Sequence, residues 1–153
     1  MPKAKPTLAQ VELQLRLYEL RRESKLRAAR NWFVGNFEVQ TLEDLNRLAP
    51  VGGEENAYLR MVASYWEMVC GVFHYGLLHE DFFFENTGEQ YLVWERLKPV
   101  VPVLRQQFSL PTMFQQLERA AGRYEKWYQR RAPGALEKLR ARMRPPAAAR
   151  RPG

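Results

Sequence analysis

The run from Glu55 to Tyr75 constrains this chain more than any other segment, because it has helical character and almost no polar face. Tyr58, Leu59, Met61, Val62, Tyr65, Trp66, Met68, Val69, Val72 and Phe73 cover most of a helix circumference. Gly76 follows in the position that favours a helix C-terminus. A helix apolar nearly all round needs cover on several sides, so the spacing predicts the central helix of a bundle.

The segments on either side are also helical in period. Thr7-Leu8-Ala9-Gln10 reads as a capping box, and no Gly or Pro follows until Gly35. Leu8, Val11, Leu15 and Tyr18 hold one stripe that resumes at Leu26, Ala29 and Phe33, which predicts one long N-terminal helix with that stripe inward. Glu12–Arg16 and Glu23–Arg27 are i,i+4 pairs for its solvated side. Thr41 opens a short helix stopped by Pro50 and Gly52-Gly53. His79-Glu80-Asp81 with Phe82-Phe83-Phe84 reads as another short helix, on which three consecutive rings cannot all face inward. Glu89 to Phe108 places Val93, Leu97, Val100, Val101, Leu104 and Phe108 inward, with a kink or a new helix at Pro99. Phe114, Leu117, Ala121, Tyr124 and Tyr128 mark the last well-patterned helix, and Pro133-Gly134 ends it. No alternating pattern of a strand occurs. The fold class is all-α, a compact bundle of five to six helices. Residues 7–132 form the helical domain, and residues 133–153 form a basic tail, partly helical to disordered.

Charge is divided along the chain. Residues 38–95 carry two Arg against eleven acids, whereas residues 119–153 carry eleven Lys/Arg against two Glu. The formal net charge of +7 is thus an average over an acidic middle and a basic end, not a uniformly basic surface. The lone Cys70 can form no internal disulfide, and the first residues contain basic side chains without the apolar core of a signal peptide. No stretch approaches the roughly 18 uninterrupted apolar residues of a spanning helix. The expected location is cytoplasmic.

Catalytic chemistry finds little support. His74 and His79 are five apart, with Gly76 between them, and neither has a Glu three residues before it, so the usual helical metal pairs are absent. Cys70 has no His beside it, and no nucleophile elbow, phosphate loop or dinucleotide fingerprint occurs. The chain is expected to be no enzyme and to need no cofactor or metal.

Two constellations stand out. Asn56, Arg60, Ser64, Glu67, Gly71 and His74 fall on one narrow stripe of the central helix. Either that stripe is the helix's solvent edge, or Arg60, Ser64, Glu67 and His74 form a semi-buried polar seam paired with a neighbouring helix. The second constellation is the basic end. Lys138, Arg140, Arg142, Arg144, Arg150 and Arg151 are candidates to neutralise nucleic-acid phosphates or anionic lipid headgroups.

Dispersed segments carry a resemblance. They are Tyr18-Glu19-Leu20-Arg21-Arg22, Leu26-Arg27-Ala28-Ala29-Arg30, Tyr65-Trp66-Glu67, His74-Tyr75-Gly76-Leu77-Leu78, Glu80-Asp81, and Val93-Trp94-Glu95-Arg96-Leu97-Lys98-Pro99 with Arg105. Over roughly residues 15–130 the chain resembles a family of bacterial helical domains catalogued only as a domain of unknown function. The resemblance implies an all-helical fold and supplies no catalytic residue. Some relatives carry a membrane helix ahead of this domain, and the departure from that pattern here puts in doubt any membrane association the resemblance would imply. The leading functional expectation is a non-catalytic interaction or regulatory module that binds another protein or itself. The alternative is an anion-binding adaptor acting through the basic end.

Overall fold

The computed structural model describes residues 4–146. Among them the chain forms nine α-helices and no strand, so the bundle is all-α but more finely divided than the expected five to six helices. The helix α1 (Leu8–Arg21) opens on the capping box: the Gln10 amide donates to Thr7 Oγ1, and the Thr7 amide donates to Gln10 Oε1. The single long N-terminal helix does not form. The chain turns at Arg22–Glu23, where Glu23 becomes extended and its carboxylate accepts the Lys25 and Leu26 amides at 3.1 and 3.0 Å. It thereby caps α2 (Ser24–Asn36), and these bonds hold its carboxyl below the usual range. A carboxylate on open amides at the positive end of a helix outweighs the weak pair it was expected to make with Arg27. Arg27 donates instead to the Arg22 carbonyl at 2.8 Å.

The short α3 (Leu42–Leu48) has its own capping box, between Thr41 and Asp44. The apolar run forms α4 (Glu54–His74) and ends at Gly76, whose φ of +78° only glycine adopts without strain. Next come α5 (Glu80–Asn86) and α6 (Glu89–Leu97). Pro99 lies in the turn before α7 (Val101–Gln107), and Pro102 occupies its first turn, where a missing amide costs nothing. The last two are α8 (Gln115–Arg131) and α9 (Leu136–Arg142).

The expected hub is the observed one: α4 packs against α2, α6 and α8, and α8 packs against α6 and α9. Trp66, Phe33, Phe37, Phe83, Tyr91, Leu97 and Leu117 fill the interior. Two inward assignments fail. Phe108 lies exposed beyond the end of α7. On α1 the stripe Leu8, Leu15 and Tyr18 is 74%, 55% and 46% exposed, while Gln14 and Leu17 are the buried residues. The apolar residues of α1 form two stripes, and the core covers the one through Leu13 and Leu17.

Arg96 is buried and ties distant helix ends together. Its guanidinium donates to the carbonyls of Phe33 and Val34 at 2.7 Å and to that of Met143 at 2.6 and 2.9 Å. One cation therefore sits on the negative ends of both α2 and α9. No residue of α9 is fully buried, yet Leu136, Leu139 and Met143 pack against the core.

Candidate functional site

The polar stripe of α4 splits in two. Glu67 reaches the start of α8, where its carboxylate accepts the amides of Gln116 and Leu117 at 3.0 and 2.9 Å. His74, two helical turns further on, shares a hydrogen bond of 2.8 Å between Nδ1 and Gln116 Oε1. Burial, with the nearby charges of Arg119 and Arg123, pushes its pKa down from the ordinary histidine value. Arg60 and Ser64, by contrast, are exposed, and Arg60 makes no ion pair among the described residues. The interhelical seam therefore consists of Glu67 and His74, and its partners are backbone amides and a glutamine rather than an opposite charge.

The basic end is also divided. Arg140 donates to Tyr91 Oη at 3.0 Å, to Glu125 at 2.8 Å and to Glu137 at 2.6 Å, so it is spent within the fold. Lys138, Arg142 and Arg144 are exposed. Arg150 and Arg151 lie outside the described residues. Further basic residues on α8 meet the acidic side chains of α5. Arg123 donates to Glu80 at 2.6 and 2.9 Å, Arg131 pairs with Glu85 at 2.9 Å, and Trp127 Nε1 donates to Asp81 at 2.8 Å. Part of the acidic middle is thus neutralised by the basic end inside the molecule.

A feature not singled out from sequence is a cleft between α1, α4 and α5, enclosing about 370 Å³. Leu15 and Tyr18 form its lip, and Val69, Phe82 and Phe83 contribute apolar wall. Phe83 and Phe84 are core residues, Phe83 also closing the cleft from within, so Phe82 is the ring of that triplet left only partly buried. Behind the cleft residues Trp66 and Arg21, Glu89 accepts Arg30 Nε at 2.8 Å and Trp66 Nε1 at 3.1 Å, with Arg21 at 3.9 Å. The Arg21 guanidinium also covers the rings of Tyr18 and Trp66. Burial pushes the Tyr65 phenol up to about 12, so it stays neutral, and its hydroxyl donates to the Leu17 carbonyl.

The lip of the cleft is continuous with the outward face of α1. Leu8, Val11, Leu15 and Tyr18 follow a 3-4-3 spacing, the a/d pattern of a helix that pairs with another helix. Glu12 and Glu19 flank this seam on one side, are exposed, and make no ion pair among the described residues. The spacing was visible in the sequence. Its outward direction was not, because nothing local indicates that Gln14 is held inward by donating to the Phe82 carbonyl, at 3.3 Å.

Among the described residues no group of three or more His, Cys, Asp or Glu side chains is placed to hold a metal ion. Nor is any helix among them long and apolar enough to cross a membrane. A family model described as a domain of unknown function (DUF4760) matches residues 6–127. No curated protein and no solved structure matches the chain.

Proposed function

We propose that the chain, which belongs to this family of unknown function, is a non-catalytic interaction module that docks an amphipathic helix of a partner protein along α1. The observation that carries this reading is the seam of Leu8, Leu15 and Tyr18, apolar, exposed and aligned. Single exposed leucines are ordinary on protein surfaces, whereas an aligned set beside a groove is the usual mark of a contact surface. Glu12 and Glu19 select the partner: a helix whose apolar stripe is flanked by Lys or Arg. The absence of catalysis is supported by how the reactive side chains are employed. Cys70 is buried and its thiol pushed upward, and His79 accepts the Phe82 amide while its other nitrogen meets the Ala4 carbonyl at 2.6 Å.

The test is a titration with a designed amphipathic peptide of three heptads carrying Lys beside its apolar stripe. Binding should be at least about tenfold tighter than for the same peptide flanked by Glu, a difference of about 1.4 kcal/mol. The Leu8→Glu/Leu15→Glu variant should lose it. Equal affinity for both peptides, or full binding by the variant, refutes the assignment. Concentration-dependent dimers that the variant abolishes would make a second copy of the chain the occupant instead.

A second reading, the anion-binding adaptor, is favoured by the exposure of Lys138, Arg142 and Arg144. It is weakened by the internal use of Arg140. Salt-dependent retention on heparin that falls when these three residues become Gln would support it, and elution at low salt would exclude it.

A further inference from the structure

Two residues that line the cleft between α1, α4 and α5, Gln14 and Arg21, each carry a buried polar atom that the fold does not use. Gln14 is only 6% exposed, and its Oε1 accepts nothing. Its orientation is set, because Nε2 donates to the Phe82 carbonyl, and a flipped amide would set oxygen against oxygen. Arg21 Nε is likewise buried without an acceptor. Buried polar atoms are nearly always paired, so unmet bonding on two residues that line the same cleft stands out. The charges around Arg21 are also unbalanced. Arg30 and Arg21 face the single carboxylate of Glu89, with Arg30 close at 2.8 Å and Arg21 far at 3.9 Å. One positive charge is left over, and it belongs to Arg21. The remaining wall is apolar, and a volume of about 370 Å³ falls in the range of small-ligand pockets.

We propose that this cleft binds a small amphiphile with an acyl or aryl body, an N–H or O–H donor and a carboxylate. The body lies against Leu15, Val69 and Phe82, the donor meets Gln14 Oε1, and the carboxylate meets Arg21. A plain fatty acid leaves Gln14 unpaired, and a neutral amide leaves the Arg21 charge unmatched. An N-acyl amino acid satisfies both. The cleft shares Leu15 and Tyr18 with the α1 seam, but Gln14 and Arg21 lie off that seam and Leu8 lies outside the cleft, so Arg21→Gln tests the cleft and Leu8→Glu alone tests the docking role.

The test uses N-octanoylglycine, with octanoate and N-octanoylglycinamide as probes that each lack one of the two polar features. Titrations by calorimetry are paired with the NMR signal of the Trp66 indole N–H, which lies in the cleft wall and donates to Glu89. N-octanoylglycine should bind most tightly and shift that signal. Arg21→Gln should weaken it about tenfold or more and leave the amide's affinity within about twofold, which also reports that the variant is folded. Gln14→Leu should erase the advantage of N-octanoylglycine over octanoate. Three results overturn the proposal: no shift of the Trp66 signal up to millimolar ligand, equal binding of the acid and its amide by the unmodified protein, or full affinity in Arg21→Gln.

Discussion

The carboxylate of Glu67, in the middle of α4, accepts the backbone amide of Leu117 in the first turn of α8 at 2.9 Å. The start of α8 has no side-chain cap of its own. Phe114 precedes it in a left-handed conformation, with φ of 57°. A residue fifty positions earlier therefore does the work that Ser, Thr or Asp usually does locally. Glu67→Ala should destabilise the fold by about 1–2 kcal/mol, the range for losing a cap together with its charge at a helix N-terminus. Glu67→Gln, which keeps an acceptor but not the charge, should lose about half of that. Arg60→Ala should cost under about 0.5 kcal/mol and add to the Glu67 effect without coupling, because Arg60 is exposed. Denaturant midpoints for the single and double variants check this, and strong coupling between the two residues would contradict it.

Arg96 supports a second prediction. Arg96→Met leaves the carbonyls of Phe33, Val34 and Met143 without their donor and should cost about 3 kcal/mol, the scale of charge-assisted bonds within a protein. Lys should rescue little, since an ammonium lacks the planar fork that spans α2 and α9. Removing residues 133–153 should destabilise the protein as well, and less so in the Arg96→Met background, because one contact is lost in both. Thermal melts of the four proteins measure that coupling.

His74 gives the fold a pH dependence. Its pKa is lowered in the folded protein, chiefly by burial and further by Arg119 and Arg123. The unfolded chain therefore binds the proton more readily, and stability rises with pH while the unfolded histidine titrates. The contribution is complete above the ordinary histidine value of about 6.5 and is lost as pH falls from there through the folded value. The melting temperature should drop between about pH 7 and pH 5. His74→Gln, which keeps a side-chain amide near Gln116, should flatten that drop. An unchanged profile in the variant would show that other groups set it.

Legibility in the sequence followed how local each determinant is. The centrality of α4 was legible because a helix with ten large apolar residues has nowhere else to go, and Gly76 and Pro133-Gly134 marked true ends. The break at Glu23 was not, since Arg22-Glu23-Ser24 contains no strong helix breaker and the carboxylate makes its own cap. The stripe on α4 was visible as a stripe, but which members are seam and which are edge depends on where α8 begins. Arg96 was silent, because its partners lie from 47 to 63 residues away. Periodicity found the seam of α1 and put it on the wrong side. A helix with two apolar stripes and one buried glutamine reveals its inner face only when Phe82 of α5 and Tyr65 of α4 are seen beside it.

Amide hydrogen exchange of the full chain, with and without the Lys-flanked amphipathic peptide, tests the assignment of α1 most directly. A short helix exposed on one face should exchange rapidly in the free protein. The peptide should slow exchange across Leu8–Arg21, with α4 and α5 affected only where they line the cleft and α9 unaffected. Protection confined to α8 and α9, with α1 exchanging as fast as before, would contradict it.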